Sequence, residues 1–163
     1  MTRIIALLDR ILAAFCVVLC IGLVISVVWQ VFSRYVLNDP STVTDELARF
    51  LFIWVGLVGA AYGLGKKKHL AIDLLSMKLE KNPKKYLLLQ FVINAISILF
   101  VSVIMCYGGS SLVLNTIAAG QISPVLGIQM GLVYLALPVS GFFMLVFLIR
   151  EVFTDIHQLS TQH

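Results

Sequence analysis

The chain has 163 residues, which is room for one compact unit. Hydrophobic residues make up 60% of it and charged residues 12%, against about 45–50% and about 25% in soluble domains, and the mean hydropathy is +1.01. Twelve Lys and Arg and eight Asp and Glu are too few to cover a soluble domain of this size. Composition therefore excludes a soluble enzyme, a disordered protein and a nucleic-acid-binding protein, despite the net charge of +4. It indicates an integral membrane protein.

Uncharged stretches predict an all-α fold with four transmembrane helices in one membrane domain, 1–163. The stretches are 11–33, 50–65 and 86–149. A span needs about 20 apolar residues, so the first stretch is one span and too long for a signal peptide. The second needs its amino-terminal flank, where Ser41 and the residues after it can cap a helix. The third holds two spans, with a break at the Gly- and Pro-containing segment 115–127. The predicted spans are 11–33, 41–65, 83–112 and 128–153, and Pro138 is expected to kink the last.

The distribution of Lys and Arg predicts the orientation. With four spans, the amino terminus, the middle loop and the carboxyl tail lie on one side and carry ten of the twelve Lys and Arg residues. The other side has only Arg34 and Arg49. Because positively charged loops stay in the cytoplasm, both termini are expected to be cytoplasmic.

Chemistry inside a bilayer normally needs ionisable side chains within the spans. The predicted spans have none at mid-depth, and His69, His157 and His163 all lie outside them. The three cysteines have no metal or disulfide spacing. The sequence therefore predicts no catalytic, metal, cofactor or substrate site, and no enzyme.

Small residues in the second span form a candidate packing surface. Gly59 and Gly63 are four residues apart, and Gly56 adds to the same pattern. Such spacing lets another helix approach closely. The partner is either another helix of this chain or one of a second protein, and the pattern does not choose between them.

Polar residues flank the first two spans. Arg34 and Tyr35 end the first, and Asp45, Glu46 and Arg49 lie in the first turns of the second. Asp45 and Arg49 are four residues apart and are predicted to pair. These residues either contact a partner or lipid headgroups, or they simply solvate the helix ends.

The middle loop holds a predicted amphipathic helix, 69–81, at the cytoplasmic membrane surface. His69, Asp73, Ser76 and Glu80 would share its narrow polar stripe, and apolar residues would cover the rest. The helix either lies on lipid or docks on a partner subunit.

Several segments in order resemble the DctQ family of small permease subunits from tripartite ATP-independent periplasmic (TRAP) transporters. They are RYVLN at 34–38, DELARF at 45–50, WVG at 54–56, GAA at 59–61, HLAIDLL at 69–75 and YLALP at 134–138. One departure is the segment 42–44 before Asp45, where the family pattern has an aromatic residue such as Trp.

The resemblance implies a role that composition does not show. Such a subunit would scaffold a large multi-span permease that takes up an acidic solute, of the sialic acid or C4-dicarboxylate type, with sodium. A periplasmic binding protein would deliver the solute, and the complex would lie in a bacterial inner membrane among its lipids. A membrane anchor for a respiratory or other enzyme complex is the alternative, and a self-assembling small exporter is a third. The lack of intramembrane histidines and carboxylates counts against both.

Overall fold

The computed structural model describes residues 2–66 and 83–160, and these form four long helices. Helix α1 is Thr2–Tyr35, and α2 is Thr42–Gly65. Helix α3 runs without a break through Pro83–Phe100, a π-helical segment Val101–Gly108, and Gly109–Ala118. Helix α4 consists of Met130–Tyr134 and Ala136–Ser160. Each helix contains a stretch long and apolar enough to cross a membrane. The predicted all-α, four-span fold is confirmed, while the predicted interfacial helix 69–81 lies outside the described residues.

Helix ends follow local signals in two of three cases. Ser41 caps α2, and its hydroxyl accepts a hydrogen bond from the amide of Thr44. Pro138, which has no N–H to donate, accounts for the single turn residue, Leu135, that interrupts α4. By contrast, α3 does not end near 112 as expected but continues to Ala118. Gly108 and Gly109 keep helical dihedral angles there, and Gly109 is buried against α4.

The four helices pack in the spatial order α1, α2, α4, α3. Among the described residues, the backbone of α1 comes within packing distance of α2 alone, and α3 packs on α4. Helix α2 therefore lies between α1 and α4. One apolar cluster joins Leu12 of α1, Val58 and Ala61 of α2, and Phe147 of α4. A row of helices leaves more helix surface open than a closed bundle does.

The seam between α1 and α2 has a regular spacing. The residues of α1 that are buried or half-buried along it recur after four and then three positions: Leu12, Cys16, Leu19, Leu23, Ser26, Gln30 and Ser33. This 3-4 repeat is typical of helices that pack at a shallow left-handed angle. Two of its members, Ser26 and Ser33, hydrogen-bond carbonyl oxygens of their own helix, so their hydroxyls do not need water.

Glycines make the contact between α3 and α4 close. A methyl group at Gly141 would lie 2.9 Å from Cβ of Met105, and one at Gly109 would lie 2.9 Å from Cβ of Leu137. A methyl group at Gly131 would lie 2.4 Å from Cγ1 of Ile117, which is closer than carbon atoms approach. These glycines bring the two backbones together, as small residues do in membrane proteins.

Candidate functional site

The ends of α1 and α2 that meet at the short link 36–41 carry most of the predicted interface residues. Asn38 takes a positive φ of 52° in this link, a conformation that asparagine tolerates better than most residues. Ser33, which is 2% exposed, accepts a hydrogen bond from the amide of Ser41 at 3.2 Å. The link is therefore short, turned and fixed at both ends.

Asp45 is the centre of a polar group across the two helices. Its Oδ1 accepts a 2.6 Å hydrogen bond from Nε2 of Gln30 in α1. Its Oδ2 pairs with the guanidinium of Arg49, one turn further along α2, as the spacing predicts. The side chains of Arg49 and Asp45 are 72% and 42% exposed. Arg34 lies near enough for its charge to act on the same carboxylate. Tyr35 is exposed at the end of α1.

Glu46 does not belong to this exposed group, although the two carboxylates are neighbours in sequence. It is 8% exposed and faces the loop between α3 and α4. Its Oε2 accepts hydrogen bonds from the amides of Val125 at 3.1 Å and Leu126 at 2.9 Å. The side chain of Ser123 hydrogen-bonds the same carboxylate. A buried carboxylate is tolerated when donors surround it in this way.

The loop that Glu46 binds is compact. Residues Ile122 and Gln129 pair in antiparallel fashion, and the amide of Ser123 donates to the carbonyl of Ile128 at 2.8 Å. Gly120 and Gly127 take positive φ angles of 62° and 66°, which allow the turns. The loop thus folds back toward α2, and its two bonded amides point at one carboxylate.

The predicted packing glycines of α2 do not contact another helix of this chain. A methyl group at Gly56, Gly59 or Gly63 would meet no described atom within 4 Å. They lie on a face of α2 that also carries Arg49 and Phe52, and Phe52 is 67% exposed. We call this the open face of α2. Within the described chain, Gly65 instead takes the close contact with α4, through the ring of Phe147 at 3.0 Å.

At the opposite ends of these helices, Asp9 of α1 forms an ion pair with Lys66, directly after α2. The hydrogen bond from Asp9 raises the pKa of the Lys66 amine above its ordinary value. The same amine lies 5.5 Å from the centre of the Tyr62 ring. Sequence reasoning counted Lys66 as a simple leaflet-facing charge and overlooked Asp9. An acidic residue at the edge of an apolar stretch, with a lysine at the edge of the next, is the signal that was available.

The remaining predicted site residues lie elsewhere. His69 and Asp73 are outside the described residues. Within 2–66 and 83–160, there is no group of three or more His, Cys, Asp or Glu residues that could hold a metal ion.

Comparison with known proteins identifies the family. The sequence model described as "Tripartite ATP-independent periplasmic transporters, DctQ component" matches residues 23–158. The sialic acid TRAP transporter small permease protein SiaQ of Vibrio cholerae is 30% identical over 125 residues, which cover 77% of this chain and 69% of that protein. The C4-dicarboxylate TRAP transporter small permease protein DctQ of Rhodobacter capsulatus is 36% identical over 97 residues, covering 60% of this chain and 41% of that protein.

A larger relative matches as well. The isethionate TRAP transporter permease protein DctMQ of Oleidesulfovibrio alaskensis is 25% identical over 108 residues, which cover 66% of this chain but 16% of that protein. Both the ordered segments of the sequence and the four apolar helices agree with these matches. The chain therefore belongs to the DctQ component family of the TRAP transporters, as a multi-pass small permease subunit and not an enzyme.

Proposed function

We propose that this chain pairs with a large permease subunit and scaffolds it for sodium-driven uptake of an acidic solute of the sialic acid or C4-dicarboxylate type. The names of two relatives support the solute class, since one is a sialic acid and the other a C4-dicarboxylate transporter protein. The match to a small part of a much longer permease protein supports the pairing, because it indicates that equivalent segments can be joined in one chain.

The observation that carries the scaffold role is the helix order. Helices α1 and α3 lie at the two ends of a row, and the described part of each packs on a single neighbour. A row of this kind is wide and open on both faces, so it can extend the fixed wall against which a moving transport unit works. Its own helices are held by a buried seam, close glycine contacts and the bonds of Glu46.

The open face of α2 is the place where we propose that a helix of the large permease approaches. Gly56, Gly59 and Gly63 expose backbone near the middle of the span, and the described chain leaves this space empty. Close backbone approach gives dispersion contacts that leucine-rich surfaces do not. Arg34, Tyr35, Asp45 and Arg49 would continue this interface at the membrane surface, toward the same subunit or lipid headgroups.

We further propose that the complex lies in a bacterial inner membrane with both termini of this chain in the cytoplasm. The excess of Lys and Arg in the terminal segments and middle loop supports this orientation. The link 36–41 and the loop that binds Glu46 would then face the periplasm, where a substrate-binding protein contacts the assembled complex. His69 and Asp73 would lie on the cytoplasmic side, facing the permease or the lipid surface.

Reconstituted uptake tests the proposal. Vesicles would contain the large permease alone, this chain alone, or both, with an inward sodium gradient and solute-loaded binding protein outside. Solute should accumulate only when both subunits are present, and collapse of the sodium gradient should abolish it. Accumulation by this chain alone, or equal uptake by the large permease without it, would refute the scaffold role. Stable association with a redox enzyme instead of a permease would support the membrane-anchor alternative.

A further inference from the structure

The hairpin of α3 and α4 contains two helix interruptions that lie side by side. The π-helical segment Val101–Gly108 ends where α4 is interrupted at Leu135. A methyl group at Gly109 would lie 2.9 Å from Cβ of Leu137 and 3.1 Å from Cδ of Pro138. The first residue after the π segment of α3 therefore touches the proline of α4.

Both interruptions weaken the regular hydrogen-bond ladder at that level. Gly109 donates to the carbonyl of Ile104, five residues back, rather than only at the α-helical spacing. Pro138 has no N–H with which to bond the carbonyl of Tyr134. Sharp bends in helices occur at prolines and at π-type segments. Because both strands of the hairpin are interrupted together, the hairpin can bend there without tearing either helix apart.

The part beyond the two interruptions, residues 109–134, is held together internally. Gly131 packs directly on Ile117, so the last turns of α3 and the first turn of α4 move as one. The loop between them is closed by its own bonds, among them Met130 N to Gln121 O at 3.0 Å. We call residues 109–134 the distal half of the hairpin.

One side chain from outside the hairpin restrains the distal half at its far end. The carboxylate of Glu46 binds the amides of Val125 and Leu126, and it comes from α2, on which the distal half otherwise makes little backbone contact. Hydrogen bonds to a charged acceptor are the stronger kind, and their loss would free two amides at once.

We propose that Glu46 is a latch that fixes a hinged distal half, with the hinge where Gly109 meets Pro138. When latched, the loop 119–129 lies against α2. When released, residues 109–134 pivot about the hinge and the loop leaves α2. The inference rests on the proposed function only for its use: a latched loop presents a fixed surface on the proposed periplasmic side. The latch itself is a property of this chain alone.

Hydrogen exchange on the full chain in lipid nanodiscs tests the latch without the permease. In Glu46→Ala, the amides of 119–130 should exchange about tenfold faster than in the parent, because a local opening replaces two bonded amides. Exchange in α1 and in 89–100 should stay unchanged. Glu151→Gln, a carboxylate change at the other end of the bundle, serves as the matched control. Unchanged exchange in 119–130 would overturn the latch, and so would faster exchange throughout the chain, which indicates general loss of stability.

A distance measurement tests the hinge. Spin labels would be placed on Ile122 in the loop and Phe52 on α2, both exposed, after replacement of the three native cysteines. The distance distribution should be narrow in the parent and broad in Glu46→Ala. Adding Pro138→Ala restores an N–H in α4 and should narrow it again. A narrow distribution in Glu46→Ala overturns the latch, and one that stays broad in the double variant overturns the hinge. Failure of uptake in vesicles would bear on the proposed function and would change neither measurement.

Discussion

Nε2 of Gln30 lies 2.6 Å from Oδ1 of Asp45 and joins α1 to α2 beside the link between them. The other oxygen of Asp45 pairs with Arg49. One carboxylate therefore positions an exposed guanidinium and holds two helices together. This arrangement places the charge of Arg49 at a defined point at the top of the open face of α2.

Asp45→Ala should separate stability from assembly. Because the side chains of Asp45 and Arg49 are both largely exposed, the thermal midpoint of the isolated chain should barely change. Recovery of the large permease with this chain should fall, since Arg49 loses the partner that positions it. Asp39→Ala, in the neighbouring link, is the matched control. Full recovery of the complex with normal uptake would mean that the group only solvates the helix ends.

Alanine at different glycines should have opposite effects. Gly141→Ala and Gly131→Ala overpack the contact between α3 and α4 and should destabilise the chain by about 1–3 kcal/mol. Gly59→Ala meets open space and should raise helix stability by up to about 1 kcal/mol. Chemical denaturation in detergent measures both. A destabilising Gly59→Ala would contradict the open face.

Gly59→Leu should then weaken the complex while the isolated chain stays folded, because its side chain fills the space proposed for the permease helix. Leu99→Phe, at an exposed position of α3, controls for added bulk on a membrane-facing surface. Equal recovery of the large permease with both variants would remove the open face from the proposed interface.

The Asp9–Lys66 ion pair should make stability fall at high pH. The pKa of Lys66 is raised by its hydrogen bond with Asp9, so the stabilisation is complete below the ordinary lysine value of 10.5 and is lost as the pH rises through the raised value. The thermal midpoint of the parent should exceed that of Lys66→Gln up to that range and converge with it above. Tyr62→Phe removes the neighbouring phenol, which could titrate in the same range. A constant difference up to the most alkaline pH would show that the pair contributes nothing through its charge.

The segment after Lys66 supports a test drawn from sequence alone. If the predicted helix 69–81 docks on the permease, His69→Ala and Asp73→Ala should each reduce uptake and subunit recovery, and the two changes together should be non-additive if the residues touch. Lys67→Gln with Lys68→Gln controls for attraction to the leaflet, at about 1 kcal/mol per charge. Lys66 is left out of the control because it pairs with Asp9. Normal activity in all three stripe variants would leave the segment a lipid anchor.

Features set by neighbouring residues were predictable, and features set by distant contacts were not. The spans follow from apolar stretches, the cap at Ser41 from its hydroxyl, and the Asp45–Arg49 pair from its spacing. Glu46 looked equivalent to Asp45, because its partners lie 79 and 80 positions away. The pair of Asp9 and Lys66 joins positions 57 apart.

Glycines show the same limit. The pattern at Gly59 and Gly63 is a packing signal that the described chain leaves unused, and Gly108 and Gly109 looked like the end of a helix. Only the order of the helices decides which glycine meets a neighbour. At Gly109, the side chains of α4 cover the backbone, so the helix continues where its sequence alone favours a break.

The bonds of Glu46 also constrain how the chain is built during synthesis. Helix α2 is the least apolar of the four spans, and its first turns carry two carboxylates. Gln30 has already been synthesised when Asp45 reaches the bilayer, so that carboxylate finds its donor at once. Glu46 must wait for Val125 and Leu126, which emerge only after α3. Nascent chains halted before residue 125 would therefore hold an unsatisfied carboxylate, and membrane proteases or chaperones should retain them until the last helix arrives.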